Sequence, residues 1–201
     1  MGKNTFKITE QEPMEETTPK PSWWQRYKAF REEHTFAQYL QRLFLKAILY
    51  FLGISLALVL IFKFVPVWFT PTMLDRKLEA IADGRDSEIY SDWEPYENIS
   101  KEVALAVVAS EDQLFPEHHG FDFDAMWGAF RHNFKGKKIK GASTISQQVA
   151  KNVFLWQGRS YVRKALEAYF TLLIELIWGK ERILEVYLNV AETGKMTFGV
   201  E

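Results

Sequence analysis

The longest apolar stretch of the chain runs from Leu43 to Val65 and reads LFLKAILYFLGISLALVLIFKFV. Its two charged residues, Lys46 and Lys63, lie near its ends, where long side chains can extend toward a membrane surface. At about 1.5 Å per residue, a helix of this length measures about 34 Å, which is enough to cross a hydrocarbon layer of roughly 30 Å. The pattern therefore predicts a membrane-spanning helix over 43–65.

The chain before this predicted span divides into two parts. Residues 1–22 are rich in Glu, Thr, Pro and Lys without apolar periodicity, which predicts a disordered tail. Residues 23–42 mix aromatic side chains such as Trp23 and Trp24 with basic ones such as Arg26. This mixture is typical of a membrane interface, although a soluble amphipathic helix would share it.

The charges that flank the predicted span are asymmetric. Basic residues crowd its N-terminal side, whereas basic and acidic residues are mixed after it. The positive-inside rule therefore predicts a cytoplasmic tail, with residues 66 onward outside. A cleavable signal peptide is disfavoured because its charged region would be about forty residues long and no small-residue cleavage site follows the apolar run.

Beyond Pro66 and Pro71 the apolar residues recur at helical spacing, so residues 66–201 are predicted to form a mainly α-helical domain. The predicted helices lie around 99–108, 126–134, 162–178 and 183–188, and the third ends at Gly179. Strand signals are scarce, with one short strand expected near 87–90.

A further helix is predicted within GASTISQQVAKN, residues 141–152. Thr144 and Gln147 have the spacing of a capping box, which places the helix start near Ile145. Val149 and Val153 continue the apolar stripe from Ile145, so one stripe is expected to pack inward and the polar residues to point elsewhere. An ordinary capped surface helix would show the same pattern.

Composition excludes several function classes. The chain of 201 residues has a net charge of −1 at pH 7, which argues against nucleic acid as a partner. It contains no cysteine, so disulfides, thiolate metal sites and cysteine nucleophiles are excluded.

Glu111 is a candidate general base because it lies on or beside the apolar stripe of the 99–108 helix. Partial burial there would favour proton uptake by its carboxylate, whereas an ion-paired carboxylate at a helix end is the structural alternative. His118 and His119 lie nearby, but adjacent histidines lack the one-face geometry of a zinc-binding helix.

A second candidate cluster is cationic. Arg163 and Lys164 precede Glu167 by one helical turn, which alone would indicate a solvated ion-pair face. Together with Lys151 and Arg159, these cations would instead suit an anion such as a diphosphate, near the backbone N–H groups of the helix that starts at Ile145. The chain has no nucleotide-binding P-loop motif.

Four motifs, taken in order, resemble those of the peptidoglycan glycosyltransferases. They are E-D-x-x-F-x-x-H-x-G over 111–120, G-x-S-T-I-x-Q-Q-x-x-K-N over 141–152, R-K-x-x-E over 163–167 and R-I-L-E-x-Y-L-N over 182–189. The resemblance covers roughly residues 66–201. A single anchor without a penicillin-binding domain is similar to the monofunctional biosynthetic enzymes.

The resemblance implies a lysozyme-like domain that polymerises lipid II at the outer face of the bacterial cell (inner) membrane. Inverting displacement of undecaprenyl diphosphate would build the β-1,4-linked glycan chain, with Glu111 as the general base. Glu167 matches the second essential glutamate, which would hold a divalent cation (Mg²⁺ or Mn²⁺) or orient the cations. The positions that match substrate-binding residues are Asp112, Phe115, His118, Ser143, Thr144, Gln147, Gln148, Lys151, Asn152, Arg159, Arg163 and Lys164.

The resemblance also sets further expectations. No organic cofactor is expected, and the expected partners are the growing glycan chain, membrane lipid and other cell-wall synthesis or division proteins. The family continues past the element that here is Gly199-Val200-Glu201, so the domain is expected to be incomplete at its C-terminus. The alternatives are a lytic peptidoglycan-cleaving enzyme, which would also use a glutamate, and a non-catalytic membrane scaffold.

Overall fold

The computed structural model describes residues 20–33, 36–134, 136 and 141–200, and most of them are helical. This confirms the predicted mainly α fold class. The helices are α1 (Trp23–Glu33), α2 (Phe36–Phe62), α3 (Pro71–Ala82), α4 (Lys101–Glu111), α5 (Phe123–Phe134), α6 (Ile145–Phe154), α7 (Tyr161–Ile177) and α8 (Lys180–Val190). The predicted disordered tail falls largely on residues 1–19, which lie outside the described residues.

A small sheet accompanies the helices. Its strands are β1 (Tyr90–Ser91), β2 (Glu192–Gly194) and β3 (Thr197–Phe198), with β3 in the centre. β1 pairs with β3 in parallel and β2 pairs with β3 in antiparallel. The short strand expected near 87–90 is therefore present, at 90–91.

The chain forms two compact units, residues 1–51 and 52–201. The first contains α1 and most of α2. In α1 the Trp23 and Trp24 rings meet edge to face, with centroids 4.8 Å apart. Among the described helices, α2 is the one that is long and apolar enough to cross a membrane, as judged by length and composition. It begins at Phe36 rather than at the predicted residue 43.

The last turns of α2 belong to the second unit and pack into its core. Ser55 and Val59 are buried, and the hydroxyls of Ser55 and Tyr169 lie 2.6 Å apart. Trp178 Nε1 donates to the Val59 carbonyl at 2.8 Å, and Arg182 Nη2 donates to the Phe62 carbonyl at 2.8 Å. The end of the apolar helix is thus fixed to α7 and α8.

Helix α6 lies at the centre of the second unit, where it packs against α3, α7 and α8. Its apolar residues Ile145 and Val149 are fully buried, as predicted, but so is Ser146, and Gln147 is only 2% exposed. The expectation of a single inward stripe is therefore wrong. Because three helices surround α6, several of its polar side chains are also enclosed, and hydrogen bonds within the fold satisfy the buried ones, which are Ser146, Gln147 and Asn152.

Helix α5 shows the opposite difference, because apolar side chains of its helical stripe are exposed rather than covered. Its predicted packing stripe includes Trp127 and Phe130, yet these side chains are 57% and 58% exposed, while Ala129 is the residue of this helix that is buried. Trp127 and Phe130 stack on each other, with ring centroids 5.5 Å apart. Helical spacing correctly predicts the helix here but not which of its faces is covered.

Candidate active site

A cleft of about 580 Å³ opens where the C-terminal end of α4 faces the N-terminal end of α6. Its lining residues are Ala109, Ser110, Glu111, Asp112, Gln113, Leu114, Asp122, Ala125, Gly141, Ala142, Ser143, Thr144 and Gln148. The first two sequence motifs therefore meet in one cleft, although more than thirty residues of chain separate Glu111 from Gln148.

Glu111 is the last residue of α4, and its side chain is exposed in this cleft. Gln148 Nε2 donates to Glu111 Oε2 at 3.0 Å. The expected partial burial of Glu111 is therefore wrong, because the helix ends at the cleft wall and leaves the carboxylate open. Its contact with a neutral amide fixes one oxygen without pairing the negative charge.

Tyr187 of α8 lies close to Glu111. Burial, and secondly the negative charge of Glu111, raise the pKa of Tyr187 to about 12. The phenol is therefore protonated and neutral at neutral pH. This proximity is not evident from the sequence, where Tyr187 belongs to the apolar pattern of the last predicted helix.

Asp112 and His118 form a buried pair behind the cleft. His118 Nε2 lies 2.9 Å from both Asp112 oxygens, and His118 Nδ1 accepts a hydrogen bond from the Gly120 N–H at 3.1 Å. Since Nδ1 is an acceptor, these bonds assign the proton to Nε2, which donates to Asp112. Asp112 Oδ2 also accepts from the Ile145 N–H at 3.0 Å, so the pair ties the end of α4 to the start of α6.

The predicted capping box is present at the start of α6. The Gln147 N–H donates to Thr144 Oγ1 at 3.2 Å, and the Thr144 N–H donates to Gln147 Oε1 at 3.1 Å. Thr144 Oγ1 also donates to the Gly120 carbonyl at 2.7 Å. The polar groups of Thr144 and Gln147 thus hold the fold together, whereas Ser143 is exposed in the cleft.

Two further motif residues are buried away from the cleft. The Phe115 ring is buried and meets the His118 ring edge to face, with centroids 6.2 Å apart. Asn152 is buried, and its backbone and side-chain oxygens lie 3.3 and 3.4 Å from Thr72 Oγ1. Phe115 therefore supports the Asp112–His118 pair from behind, and Asn152 joins α6 to α3.

Glu167 forms a second cluster with the cations that precede it on α7. Its carboxylate is buried and accepts from Arg163 Nη1 at 2.7 Å and from Lys164 Nζ. Arg163 Nε donates to the Gly158 carbonyl at 2.5 Å, which fixes the guanidinium at the start of the helix. Arg159 precedes α7 and is exposed. The predicted solvated ion-pair face is therefore wrong for Glu167, whose charge is enclosed.

Lys151 extends from α6 toward the same cluster. Burial lowers the pKa of Lys151; the nearby Glu167 opposes this, and Arg163, Arg76 and Lys164 lower it further. Within the described part of the chain, the Lys151 ammonium has no hydrogen-bond or ion-pair partner. A half-buried cation among other cations is a favourable place for an anionic group.

The residues of this second cluster do not form a ready cation site. The described residues contain no group of three or more His, Asp or Glu side chains that could hold a metal ion. Arg163 and Lys164 occupy both oxygens of Glu167, so a divalent ion there would have to displace an existing cation.

Sequence analysis missed a group of polar residues behind the cleft, namely Ser146, Glu175 and Lys180. Lys180 Nζ donates to Glu175 Oε1 at 2.8 Å, and Ser146 Oγ donates to the same oxygen at 2.5 Å. One signal could have identified Lys180: a cation in the first turn of a helix opposes the helix dipole unless a carboxylate compensates it.

The fold is a helical domain that holds an open carboxylate in a cleft and a cluster of cations around a second carboxylate, Glu167. The family model described as Transglycosylase matches residues 77–201, and the chain belongs to this family. The sequence-based resemblance is thereby confirmed.

Several curated relatives bear the name biosynthetic peptidoglycan transglycosylase, which denotes a glycosyltransferase. The protein of Pseudomonas putida is 54% identical over 156 residues, which cover 78% of this chain and 66% of the relative. The protein of Pseudomonas savastanoi pv. phaseolicola is 52% identical over 164 residues, covering 82% and 70%. The protein of Chromohalobacter salexigens is 54% identical over 160 residues, covering 80% and 68%. The matched regions thus span about two thirds of these relatives' length.

Proposed function

We propose that the protein is a membrane-anchored peptidoglycan glycosyltransferase that polymerises lipid II into β-1,4-linked glycan chains and releases undecaprenyl diphosphate. The observation that carries the proposal is the placement of Glu111. Its open carboxylate lies in the cleft and is held by Gln148, one helical turn from the unpaired ammonium of Lys151. Gln148, which holds the proton acceptor, and Lys151, the anion-binding group, thus lie about one turn apart on α6.

The reaction proposed here is a single displacement. Glu111 accepts the proton of the acceptor sugar 4-hydroxyl as that oxygen forms a bond to C1 of the donor sugar. The bond from C1 to the diphosphate oxygen breaks, and its electron pair leaves with the undecaprenyl diphosphate. Attack opposite the leaving group converts an α-linked donor into a β-1,4 linkage.

The cations stabilise the negative charge that develops on the leaving diphosphate. Lys151 contacts it directly, since it has no fixed partner in the described chain, while Arg159, Arg163 and Lys164 add positive charge around it. Glu167 acts as a fixed anion that holds Arg163 and Lys164 in place. A half-buried lysine whose pKa is lowered gains most from such an anion, because the bound charge favours its protonated form.

The remaining motif residues divide between the cleft and its support. Ser143 and Gln148 face the cleft and contact the sugars in this proposal. The supporting residues, two of which (Asp112 and Thr144) also line the cleft, are Asp112, Phe115, His118, Thr144, Gln147 and Asn152.

The resemblance also implies that Glu167 would hold a divalent cation or orient the cations around it. Glu167 is the candidate ligand, but its oxygens are engaged by Arg163 and Lys164, and it belongs to no group of three or more His, Asp or Glu side chains among the described residues. The proposed reaction therefore contains no step through a metal ion, and the absence of an organic cofactor stays a prediction.

Membrane anchoring is proposed from the length and apolar character of α2. The basic flank of the apolar stretch favours a cytoplasmic N-terminus and a catalytic domain on the outer face of the inner membrane. In spheroplasts, external protease should digest residues after Pro66 and spare the N-terminal tail, and protection of the domain instead would reverse this orientation. Membrane lipid and the glycan chain are the proposed partners, and further cell-wall synthesis or division proteins stay a prediction.

The proposed activity is tested by incubating the full chain with lipid II in detergent and separating the products by size. Chain growth, with products that a β-1,4-specific muramidase degrades, would support the proposal. Cleavage of finished glycan without growth would favour the lytic alternative. Neither activity in a folded protein would favour a scaffold.

A further inference from the structure

Lys180 and Glu175, which lie outside the four motifs quoted above, support the cleft from behind through part-buried polar contacts. Lys180, in the first turn of α8, donates to the His118 carbonyl at 2.6 Å and to Glu175 Oε1 at 2.8 Å. Its ammonium also lies 4.5 Å from the centroid of the buried Phe115 ring. One lysine therefore contacts two places in the 112–120 loop, and none of these atoms lines the cleft.

Glu175 connects Lys180 to the start of α6. Its side chain is almost fully buried, and its Oε1 atom accepts from both Lys180 and Ser146 Oγ. Ser146 follows Ile145, whose N–H donates to Asp112 at 3.0 Å. The Lys180–Glu175 pair thus bridges the loop after Glu111 to the start of α6.

Gly120 shows how closely this loop approaches α7. Its φ is +89°, and a Cβ atom there would come within 2.8 Å of Thr171 Cγ2 and 3.0 Å of Glu175 Cγ. The Gly120 carbonyl accepts from Thr144 Oγ1 at 2.7 Å. The loop is therefore held on α6 and α7 at several points, and Glu175 contributes to two of them.

We propose that Lys180 and Glu175 are positioning residues for Glu111: they hold the 112–120 loop against α6, so that the Glu111 carboxylate stays within reach of Gln148 and of the acceptor hydroxyl. This inference rests on the proposed function of Glu111 as a general base. Lys180 touches no substrate in this arrangement and acts through His118, Phe115 and the end of α4.

A displaced base lowers the rate of the chemical step more than it lowers substrate binding. Misplacement of a reacting group by about 1 Å can cost about 100-fold in rate. Lys180→Met keeps the length of the side chain and its packing on Phe115 but removes both hydrogen bonds. We expect its kcat on lipid II to fall by about 10- to 100-fold, while KM changes by less than about threefold.

The decisive measurement is a double-mutant cycle with Glu111→Gln in the full chain. If Lys180 acts through Glu111, Lys180→Met should lower kcat strongly in the wild-type background and little in the Glu111→Gln background. Lys180→Arg, which can keep both hydrogen bonds, should restore much of the activity. Equal losses in both backgrounds would show a general structural effect and overturn the proposal.

Arg182→Met is the matched control. Arg182 belongs to the same helix and also combines an ion pair, to Glu185, with hydrogen bonds to backbone carbonyls, but those carbonyls belong to Phe62 and Val65. Arg182→Met should lower the melting temperature about as much as Lys180→Met does. Any effect of Arg182→Met on kcat should be the same in the wild-type and Glu111→Gln backgrounds. Equal kcat losses for the two variants at equal melting shifts would also overturn the proposal.

Two further comparisons separate failure of the positioning role from misfolding of a variant and from failure of the proposed function. If Lys180→Met does not fold, Ser146→Ala removes one hydrogen bond to Glu175 and leaves both charges in place; its smaller kcat loss should again vanish in the Glu111→Gln background, and persistence there would overturn the proposal. If the wild-type chain does not extend lipid II, the proposed function fails. If it does, and the cycle is additive, only the positioning role fails.

Discussion

Glu111 lies beside Gln148 of α6 and Glu167 lies near Lys151 of the same helix, yet the two carboxylates have opposite surroundings. Glu111 is exposed in a cleft and receives a single hydrogen bond from the neutral amide of Gln148. Glu167 is 3% exposed, and its two oxygens are occupied by Arg163 and Lys164. Glu111 has a single hydrogen bond and no paired cation among the described residues, whereas each oxygen of Glu167 is bound by a cation.

This difference separates two chemical roles. A general base must reach the proton that it removes, and an open carboxylate in a cleft can do so. A carboxylate that is buried and bound by two cations does not face the cleft, but it can fix those cations where negative charge develops. The structure therefore favours Glu111 for proton transfer and Glu167 for organising charge.

The largest expected effect comes from Glu111→Gln. The amide keeps the shape of the side chain but cannot accept the proton, so turnover of lipid II should fall by about 10²- to 10⁴-fold. Because the side chain is exposed, the free energy of unfolding should change by no more than about 0.5 kcal/mol. The measurements are a lipid II polymerisation assay and urea unfolding followed by circular dichroism; a folded variant with near wild-type turnover would exclude Glu111 as the base.

A somewhat smaller loss is expected from Lys151→Ala. Removal of the unpaired ammonium takes away a direct partner of the leaving diphosphate, so turnover should fall by about 100-fold. The control is Lys195→Ala, since Lys195 is exposed in the turn between β2 and β3. If steady-state assays gave the two variants the same turnover, Lys151 would have no special relation to the leaving group.

Glu167→Gln should distinguish the two glutamates by stability. Its loss leaves Arg163 without its carboxylate in a mostly buried position, beside Lys151 and Lys164. We expect the free energy of unfolding to fall by about 2 kcal/mol, less than for a fully enclosed pair because Lys164 is nearly half exposed. Urea titration of Glu111→Gln and Glu167→Gln side by side tests this, and equal stabilities would contradict the assigned difference.

The turnover of Glu111→Gln and that of Glu167→Gln should also respond differently to pH. Raising the pH, or supplying a more reactive acceptor, should partly restore the turnover of Glu111→Gln, because a missing base is the defect. It should leave Glu167→Gln impaired, since its cations would still be misplaced. Equal restoration of both would remove the distinction.

The smallest expected effect concerns Tyr187, whose pKa is raised by burial and, secondly, by the charge of Glu111. The phenol has its pKa raised from 10 to about 12 in the native state, so the unfolded chain releases this proton first as the pH rises. Native stability should therefore fall above pH 10, and Tyr187 should account for about 1 kcal/mol at pH 11. Urea unfolding at pH 9 and pH 11 should show a smaller drop for Tyr187→Phe than for the wild type, and identical drops would contradict the assignment.

Local signals in the sequence predicted the helices well. The capping box of Thr144 and Gln147 marks the start of α6, and the apolar run before Gly179 marks α7. Such signals depend on residues within one or two turns of each other, so a single sequence contains them. The four motifs likewise identified the family, and five of the residues predicted from them line the cleft, namely Glu111, Asp112, Ser143, Thr144 and Gln148.

The sequence could not indicate which helix faces are covered. Gln147 is buried because α3, α7 and α8 surround α6, while Phe130 is exposed because no described element covers that face of α5. Lys180 contacts His118 across 62 residues of chain, so spacing along the sequence contains no trace of it. Exposure and long-range hydrogen bonds follow from tertiary packing, which periodicity alone does not specify.

Helix α6 carries Gln148, which holds the proposed base, and Lys151, which meets the proposed leaving group. The two positions are three residues apart, so the helix backbone sets a rise of about 4.5 Å between them. The distance along the helix between the contact to the proposed base and the contact to the leaving group is therefore set by the helix backbone rather than by side-chain rotamers. Insertion of one residue between them would rotate the second position by about 100°, so α6 should tolerate several changes of residue type but no change of length.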